Sequence, residues 1–322
     1  MDNVTQTLKT YDVNKTKSKK KVGNFLNDFK RSKILLLMFL PTLIYIIVFR
    51  YLPMYGVIIS FYDYNPYKGL FQSKFVGIQN YVSFFTNVDF TRILVNTFLL
   101  GIYRLIFTFP APIILALVLN EVRNNHMKKF IQTVSYLPNF ISVTVVAGMS
   151  VMFLGPTSGI VNHIINIFGG ESVYFMSHPE YFRSIYVVTD IWQGAGWGSI
   201  IYLAAITSID PAIYESAYMD GANKFQQIIH ITLPSIAQTV VIMFIISTGN
   251  VVSIGFEKVF LLQNPAIMVT SDVISTYVYR TGLLNGDFSF ATAAGLFNSV
   301  ISLIFVWGSN YLSKKFGDNS LF

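Results

Sequence analysis

The feature that most constrains this chain is a series of six long apolar stretches. They occupy residues 34–61, 93–119, 130–154, 184–206, 236–254 and 288–311. About 20 apolar residues are needed for a helix to cross the hydrocarbon core of a bilayer. Backbone polar groups must pair within the segment in lipid, so each stretch must be a helix. We therefore predict an all-α, polytopic membrane protein with six transmembrane helices.

The composition indicates a chain solvated mainly by lipid. Of its 322 residues, 53% are hydrophobic and 12% are charged, whereas soluble domains carry about 25% charged residues. The chain has no cysteine, which excludes disulfides, zinc–thiolate sites and thiol nucleophiles. The first apolar stretch follows a basic leader, but it is too long for a signal peptide and no small-residue cleavage site follows it. We expect a retained anchor.

The distribution of lysine and arginine predicts the orientation, because cytoplasmic loops are enriched in these residues. Fifteen of them lie in the N-terminal tail, the second and fourth connections and the C-terminus, against six on the other side. Both termini are therefore expected in the cytoplasm. We divide the chain into a basic tail (1–33), a six-helix domain (34–315) and a C-terminal tail (316–322). The basic tail has few aromatic residues for stacking on bases, so we expect weak attraction to anionic lipid rather than to nucleic acid.

Polar residues inside the predicted spans would be costly if they faced lipid. They are Asn96, Arg104, Asp190, Gln193, Asn250 and Asn298. Arg104 and Asp190 are the only opposite charges well inside two different spans. Two interpretations stay open for them, a structural ion pair and a lining of a substrate path. Prolines such as Pro138 predict bent helices, although proline is common in membrane helices.

The connection between the fourth and fifth stretches, residues 210–234, carries the most specific pattern. Its sequence is DPAIYESAYMDGANKFQQIIHITLP. Asp210 is a good N-cap and Pro211 suits a first helical turn. The pattern predicts a short helix to about Met219, a left-handed turn at Gly221 and a second helix near Asn223. Isolated helices this short are marginal in water, so we expect a packing partner in the cytoplasm.

This connection resembles the EAA loop of binding-protein-dependent ABC importer permeases. The family pattern is Glu-Ala-Ala, three residues, Gly, nine residues, Ile, one residue and Leu-Pro. The positions that match it here are Glu215, Ala217, Gly221, Ile231, Leu233 and Pro234, and Ser216 replaces the first alanine with another small residue. A pattern of this length and spacing is highly specific in a cytoplasmic loop between two spans.

The resemblance extends from about residue 32 to the C-terminus and is strongest to the carbohydrate-uptake branch, in particular its LplB-type, MalF-like members. The motifs that carry it are LVLNEVR at 117–123, QTVSYLPNFIS at 132–142, GIVN at 159–162, YLAAITSIDP at 202–211 and TYVYR at 276–280. The resemblance implies a type I permease fold in a bacterial cytoplasmic membrane. The imported solute would be an oligosaccharide.

The resemblance also implies a mechanism and a set of partners. The loop would form a coupling helix that docks into a groove on a cytoplasmic ATPase, present in two copies. The docking residues would be Glu215, Ala217, Asp220 and Gly221, with Leu233 and Pro234 at the entry to the next span. A second permease subunit, expected to be a different chain, and an extracellular sugar-binding lipoprotein would complete the transporter. ATP and magnesium would bind the ATPase subunits, so no cofactor or metal is expected on this chain.

Sugar sites combine aromatic faces with polar groups that bind hydroxyls, and eight residues of the spans offer this chemistry. The candidates for the substrate path are Tyr103, Arg104, Asn139, Asp190, Trp192, Gln193, Trp197 and Asn250. Ordinary packing against lipid or other helices is the alternative for each aromatic residue.

Three other functions have sequence requirements of their own. A membrane-embedded enzyme would need convergent ionisable residues, but the four histidines are scattered and no HExxH, GxSxG or phosphate-binding loop occurs. We therefore expect no catalytic residues. A secondary transporter would commonly show inverted repeats, which the sequence lacks. A permease for peptides or other small solutes fits the loop equally well, and only the flanking motifs favour sugar.

Overall fold

The computed structural model describes residues 33–252 and 254–316. The predicted tails, residues 1–33 and 316–322, therefore lie outside the described residues except for Lys33 and Phe316. The chain divides into two compact units, Met1–Gly56 and Val57–Phe322. The described part of the first unit is a single helical segment, and the second unit contains all the sites discussed below.

Helices make up most of the described structure. The first eight are α1 (Lys33–Ile46), α2 (Gln79–Phe85), α3 (Phe90–Tyr103), α4 (Pro110–Glu121), α5 (Asn125–Tyr136), α6 (Val143–Phe153), α7 (Ile160–Ile167) and α8 (Phe182–Thr207). The others are α9 (Pro211–Met219), α10 (Lys224–Gln227), α11 (Leu233–Ser235), α12 (Ala237–Gly249), α13 (Phe256–Leu262), α14 (Met268–Ser271), α15 (Ile274–Tyr279) and α16 (Phe288–Phe316).

Irregular turns extend several of these helices, and one small sheet accompanies them. Wide π-helical turns follow α1, α3, α10 and α15 at Ile47–Tyr51, Arg104–Thr108, Ile228–Thr232 and Arg280–Leu284. Tighter 3₁₀ segments are Leu52–Phe61, Leu70–Gln72, Leu137–Phe140, Phe175–Ser177, Pro179–Tyr181 and Pro265–Ile267. The sheet pairs β1 (Tyr62–Asp63) antiparallel with β2 (Lys74–Phe75), with Tyr62 opposite Phe75.

The predicted spans are confirmed only in part as simple helices. Within the described residues, three helices are long and apolar enough to cross a membrane, Leu36–Phe61, Phe90–Glu121 and Phe288–Tyr311. Two bent helix pairs, which contain most of the third and fifth predicted spans, raise the number to five if each pair is one span. The fifth predicted span ends too late, since its helix stops at Gly249. The fourth predicted span lies in α8, whose 26 residues are long enough. Because α8 contains polar residues such as Asp190 and Gln193, it is not counted among the helices that are apolar enough to cross a membrane.

The third predicted span is broken rather than continuous. The segment Asn125–Phe140 meets Val143–Phe153 at an angle of 102°. Pro138 lies just before the break, and the Ser142 hydroxyl accepts a hydrogen bond from Val145 N at 3.3 Å to begin α6. The Gln193 side chain of α8 donates to the free carbonyl of Ile141 at 3.0 Å. Freed backbone groups at membrane depth need such partners, so α8 stabilises the break.

Three apolar clusters form the core of the second unit. One surrounds α8 near its N-terminal half, with Leu100, Tyr186 and Val259. Another joins α2, α3, α15 and α16 around Phe84, and the third joins α4, α8 and α11 around Leu119. At Gly196, α8 approaches α5 so closely that a Cβ atom would overlap the Ser135 carbonyl. Small residues at such crossings allow membrane helices to pack backbone to backbone.

Candidate functional site

The predicted coupling loop has the expected helix–turn–helix form. Helix α9 begins where the Asp210 carboxylate accepts a hydrogen bond from Ala212 N at 2.9 Å, with Pro211 in the first turn. It ends at Met219, as predicted. An N-cap of this kind contributes about 1 kcal/mol, so the start of α9 is encoded locally.

The turn after α9 is a complete Schellman motif. Gly221 has φ +82°, in the left-handed region. Its N–H donates to the Tyr218 carbonyl at 3.0 Å, and Ala222 N donates to the Ala217 carbonyl at 2.9 Å. These are the two hydrogen bonds that define the motif, and glycine is the residue that takes this conformation without steric cost. Asn223 then opens α10 through a reciprocal capping box with Gln226.

The outer surface of this loop presents charged and apolar side chains together. Glu215 and Asp220 are exposed, and neither forms an ion pair with another residue that the structure describes. Tyr218 is 73% exposed, Met219 83% and Phe225 70%. Large apolar groups clustered on a projecting loop are typical of an interaction surface.

The inner surface of the loop is tied to the helices of the bundle. The Tyr214 and Thr232 hydroxyls are 2.9 Å apart, and Thr232 is buried. Lys224 Nζ lies 3.2 Å from the Glu121 carboxylate at the end of α4. Leu233 packs in the apolar cluster that joins α4 and α8, and Pro234 precedes the 65° bend into α12. The hydrogen bond holds the loop together, while its contacts beyond the loop reach α4 and the cluster that joins α4 and α8, and the chain continues into α12.

A partly buried ion triad includes two of the predicted substrate-path residues. Arg104 Nε is 3.2 Å from Asp190 Oδ2, and Lys258 Nζ is 2.9 Å from Asp190 Oδ1. The side chains of Arg104, Asp190 and Lys258 are 30%, 18% and 8% exposed. Lys258 also lies 5.7 Å from the centre of the Tyr186 ring. The predicted ion pair between Arg104 and Asp190 is thus present, and sequence reasoning missed its third member.

Lys258 could not be recognised from the sequence because it falls in the connection between the fifth and sixth apolar stretches. In the structure that connection folds into α13, which packs on α6 and α8 and carries Lys258 to Asp190. Two cations sharing one carboxylate leave a net charge of +1 at this point. Such charges within a membrane bundle are rare and mark functional paths.

The remaining candidates are dispersed. Arg104 and Asn250 line one cavity of about 180 Å³, together with Tyr202 and Ser247. Tyr103 lies beside Arg104 and lines a different cavity, described below. Trp192, Gln193, Trp197 and Asn139 line neither of these two cavities.

Two of the dispersed candidates have identified contacts within the bundle. The Gln193 side-chain amide donates a hydrogen bond to the Ile141 carbonyl. Trp197 is 49% exposed and makes an edge contact with Phe140 at 5.5 Å between ring centroids.

A second charged cluster, also missed, lies in the connection before the last span. Asp272 is fully buried, and its carboxylate accepts hydrogen bonds from Arg280 at 2.7 and 3.1 Å and from Arg92 at 3.2 Å. The Asp272 carboxylate raises the pKa of the Arg280 guanidinium above its ordinary value. Breaking a buried pair of this kind is strongly destabilising. The cluster therefore fixes this connection against α3.

Nothing in the described part of the chain suggests a metal centre. No group of three or more His, Asp and Glu side chains within residues 33–252 and 254–316 is placed to hold a metal ion. The charged groups instead form ion pairs with one another.

Comparison with known proteins identifies the family. Residues 108–318 match the family described as "Binding-protein-dependent transport system inner membrane component". Protein LplB of Bacillus subtilis (strain 168) is 44% identical over 299 residues, which cover 93% of this chain and 94% of that protein. The polygalacturonan/rhamnogalacturonan transport system permease protein YteP of the same strain is 43% identical, covering 94% and 95%.

A solved structure shows the same fold. It is described as a bacterial ABC transporter involved in the import of the acidic polysaccharide alginate. One of its chains is 43% identical to this chain, with a TM-score of 0.85, and the match covers 91% of this chain and 99% of that chain. The predicted family and type I permease fold are confirmed, and the chain belongs to the binding-protein-dependent transport system inner membrane components.

Proposed function

We propose that this chain is one of two permease subunits of an ATP-binding-cassette importer that carries an oligosaccharide across the cytoplasmic membrane. ATP would be bound and hydrolysed by a pair of separate cytoplasmic subunits. Both termini and the loop at residues 210–234 would face the cytoplasm. The observation that carries this proposal is the loop, because it combines the family's sequence pattern with an exposed outer surface and fixed inner contacts.

The loop is built to pass a displacement from a cytoplasmic partner into the bundle. Its outer surface offers Glu215 and Asp220 for basic or backbone donors, and Tyr218 and Met219 for apolar contact. The Schellman turn at Gly221 fixes the angle between α9 and α10. A partner that moves α9 would therefore move the whole loop rather than bend it.

The inner contacts decide where that movement goes. The Tyr214–Thr232 hydrogen bond links α9 to the turn that leads into the fifth span, and the Lys224–Glu121 pair links α10 to α4. The Lys224–Glu121 pair is partly exposed and contributes at most about 1 kcal/mol to stability. It is therefore weak enough to break and re-form when the loop moves. A bundle with two arrangements can be switched by a partner that contacts the loop differently in each.

The path for the solute would run along α8 beside the triad of Arg104, Asp190 and Lys258. Charged groups held inside a membrane bundle supply fixed hydrogen-bond donors for sugar hydroxyls without facing lipid. YteP and the alginate importer are each described by the polysaccharide that they transport, which supports an oligosaccharide over a peptide. The alginate importer has also been solved in complex with an alginate pentasaccharide-bound periplasmic protein, which supports a sugar-binding partner here.

Co-purification tests this proposal. The chain would be tagged and expressed with the products of its neighbouring genes, and the ATPase subunit and second permease would be sought in the purified complex. Glu215→Ala and Gly221→Ala should each release the ATPase. The glycine variant places a side chain at a positive φ, which costs roughly 1 kcal/mol and distorts the turn.

Matched controls distinguish a loss of ATPase docking from a general loss of stability of the chain. Glu171→Ala removes an exposed carboxylate from the connection between the third and fourth spans. Gly169→Ala places a methyl group at another positive-φ glycine with open space around it, φ +79°. Both controls should retain the ATPase. A chain that purifies alone, or loop variants that retain the ATPase as the controls do, would contradict the proposal.

A further inference from the structure

Arg183, in the first turn of α8, is a cation without a counter-charge. Its Nη2 donates to the Asn96 side-chain oxygen at 3.0 Å, and its Nε is buried without a hydrogen-bond partner. No carboxylate of the described chain pairs with it, whereas Arg92, Arg104 and Arg280 each have one. A cation without a counter-charge inside a membrane bundle is costly, so the part of the Arg183 guanidinium that lines a cavity is suited to an anionic ligand.

Arg183 lines a cavity of about 410 Å³ between the end of α3 and the outer half of α8. The volume is within the usual range for small-molecule sites, about 300–1,000 Å³. Tyr103 offers an aromatic face in this cavity and Ser184 a hydroxyl, while Val187 and Ile191 form the apolar wall. Glu180 also lines it, but its carboxylate is 63% exposed and pairs with His178 at 3.3 Å.

The cavity lies directly outward of the ion triad. Arg183, Val187 and Asp190 follow a helical spacing of four and then three residues, so they share one face of α8. At 1.5 Å per residue, Arg183 is about 10 Å from Asp190 along the helix. Arg183 on this face and Arg104 and Lys258 beside it supply three positive charges, against the two carboxylates of Asp190 and Glu180. An excess of positive charge along a path raises the local concentration of anions.

The arginine is also held in position before any ligand arrives. Its partner Asn96 is 3% exposed, and the Asn96 amide donates to the carbonyls of Val269 at 2.8 Å and Asp272 at 3.1 Å. Asp272 is fixed in turn by Arg92 and Arg280. Restricting a binding group in advance lowers the entropic cost of ligand binding.

We infer that Arg183 binds the carboxylate of a uronate unit in a transported acidic oligosaccharide, and that this site selects uronate-bearing over neutral sugars. The inference rests on the proposed function and narrows its substrate class. A planar guanidinium matches a carboxylate through two parallel hydrogen bonds. Tyr103 can stack on the sugar ring while the Ser184 hydroxyl reaches a sugar hydroxyl. An acidic polysaccharide is also the cargo of the alginate importer named above.

The test uses the complete transporter, reconstituted in vesicles with its own binding protein. Uptake of tetragalacturonate and of its methyl ester, which has the same length without the charge, would be measured for the wild type and for Arg183→Gln. Expressing each result relative to wild type cancels the binding protein's own preference. Arg183→Gln should raise the KM for tetragalacturonate roughly tenfold or more and leave uptake of the methyl ester within about twofold.

Two further variants complete the design. Arg183→Lys keeps the charge but loses the planar guanidinium, so it should recover tetragalacturonate uptake only in part. Lys74→Gln removes an exposed cation of the second unit that lies outside the cavity and should change neither sugar. An Arg183→Gln complex with unchanged tetragalacturonate uptake would overturn the inference.

The alternative ligand is the phosphate of an anionic lipid. In that case Arg183→Gln would lower uptake of both sugars equally, and replacing phosphatidylglycerol with phosphatidylcholine in the vesicles would reproduce the loss for the wild type. That result would also overturn the inference while leaving the importer function intact. If the wild-type complex transports neither sugar nor any neutral oligosaccharide, the proposed function itself fails.

Discussion

Removing the charge of Asp190 tests how the ion triad contributes to stability. Asp190→Asn leaves Arg104 and Lys258 without a counter-charge, and Lys258 is the more buried of the two at 8% exposed. Breaking a buried pair in this way costs about 3–5 kcal/mol. At about 2–4 °C per kcal/mol for a folded unit of this size, the thermal midpoint of the detergent-purified complex should fall by roughly 6–20 °C.

Double variants separate the contributions of Lys258 and Arg104. Most of the cost of Asp190→Asn should come from Lys258, because Arg104 is 30% exposed and can reach water. Adding Lys258→Met to Asp190→Asn should therefore restore most of the midpoint, whereas adding Arg104→Met should restore less. An unchanged midpoint in Asp190→Asn, or a double variant with Lys258→Met that is less stable than either single variant, would contradict this account.

Two other perturbations follow from the packing. Gly196→Ala should lower the thermal midpoint and the yield of folded chain, because its methyl group meets the Ser135 carbonyl and overpacking costs about 1–3 kcal/mol. Gly194→Ala, with open space around it, should be tolerated, and equal effects of the two would refute the close helix crossing. Asp272→Asn should destabilise strongly in the same assay, because Asp272 is fully buried and its carboxylate is the partner of Arg280, whereas Arg92 keeps Asp89. Asp89→Asn, which removes a carboxylate that is 42% exposed, should be nearly neutral, and a larger loss in Asp89→Asn than in Asp272→Asn would be inconsistent with the cluster described.

The parts of the site that the sequence could predict are those determined by local interactions. Asp210, Pro211 and Gly221 each set the conformation of the backbone only a few residues away. The structure has the cap, the helix and the turn at the expected positions. The pairing of Arg104 with Asp190 was one of two open interpretations. It could be anticipated because opposite charges inside two spans have few other partners.

The parts that could not be predicted depend on tertiary contacts. Lys258 and Asp272 lie in a connection that reads as a polar outer loop, and only its folding onto α3, α6 and α8 buries them. The 102° break in the third predicted span required more than Pro138, since it also uses the Ser142 cap and the amide of Gln193 from another helix. Gln193 stays a predicted candidate for the substrate path, and its hydrogen bond to the Ile141 carbonyl could not be predicted because the two residues are 52 positions apart.

The central claim is that the loop at residues 210–234 docks on a cytoplasmic ATPase. Because the chain has no cysteine, Ser216→Cys would introduce a unique thiol on the exposed surface of α9, and Ser172→Cys would do so between the third and fourth spans. Cross-linking each introduced thiol to neighbouring subunits within the purified complex tests this docking most directly. The account predicts an adduct between Cys at position 216 and the ATPase subunit, and none from position 172. An adduct from position 172, or labelling of position 216 from outside the cell, would contradict it.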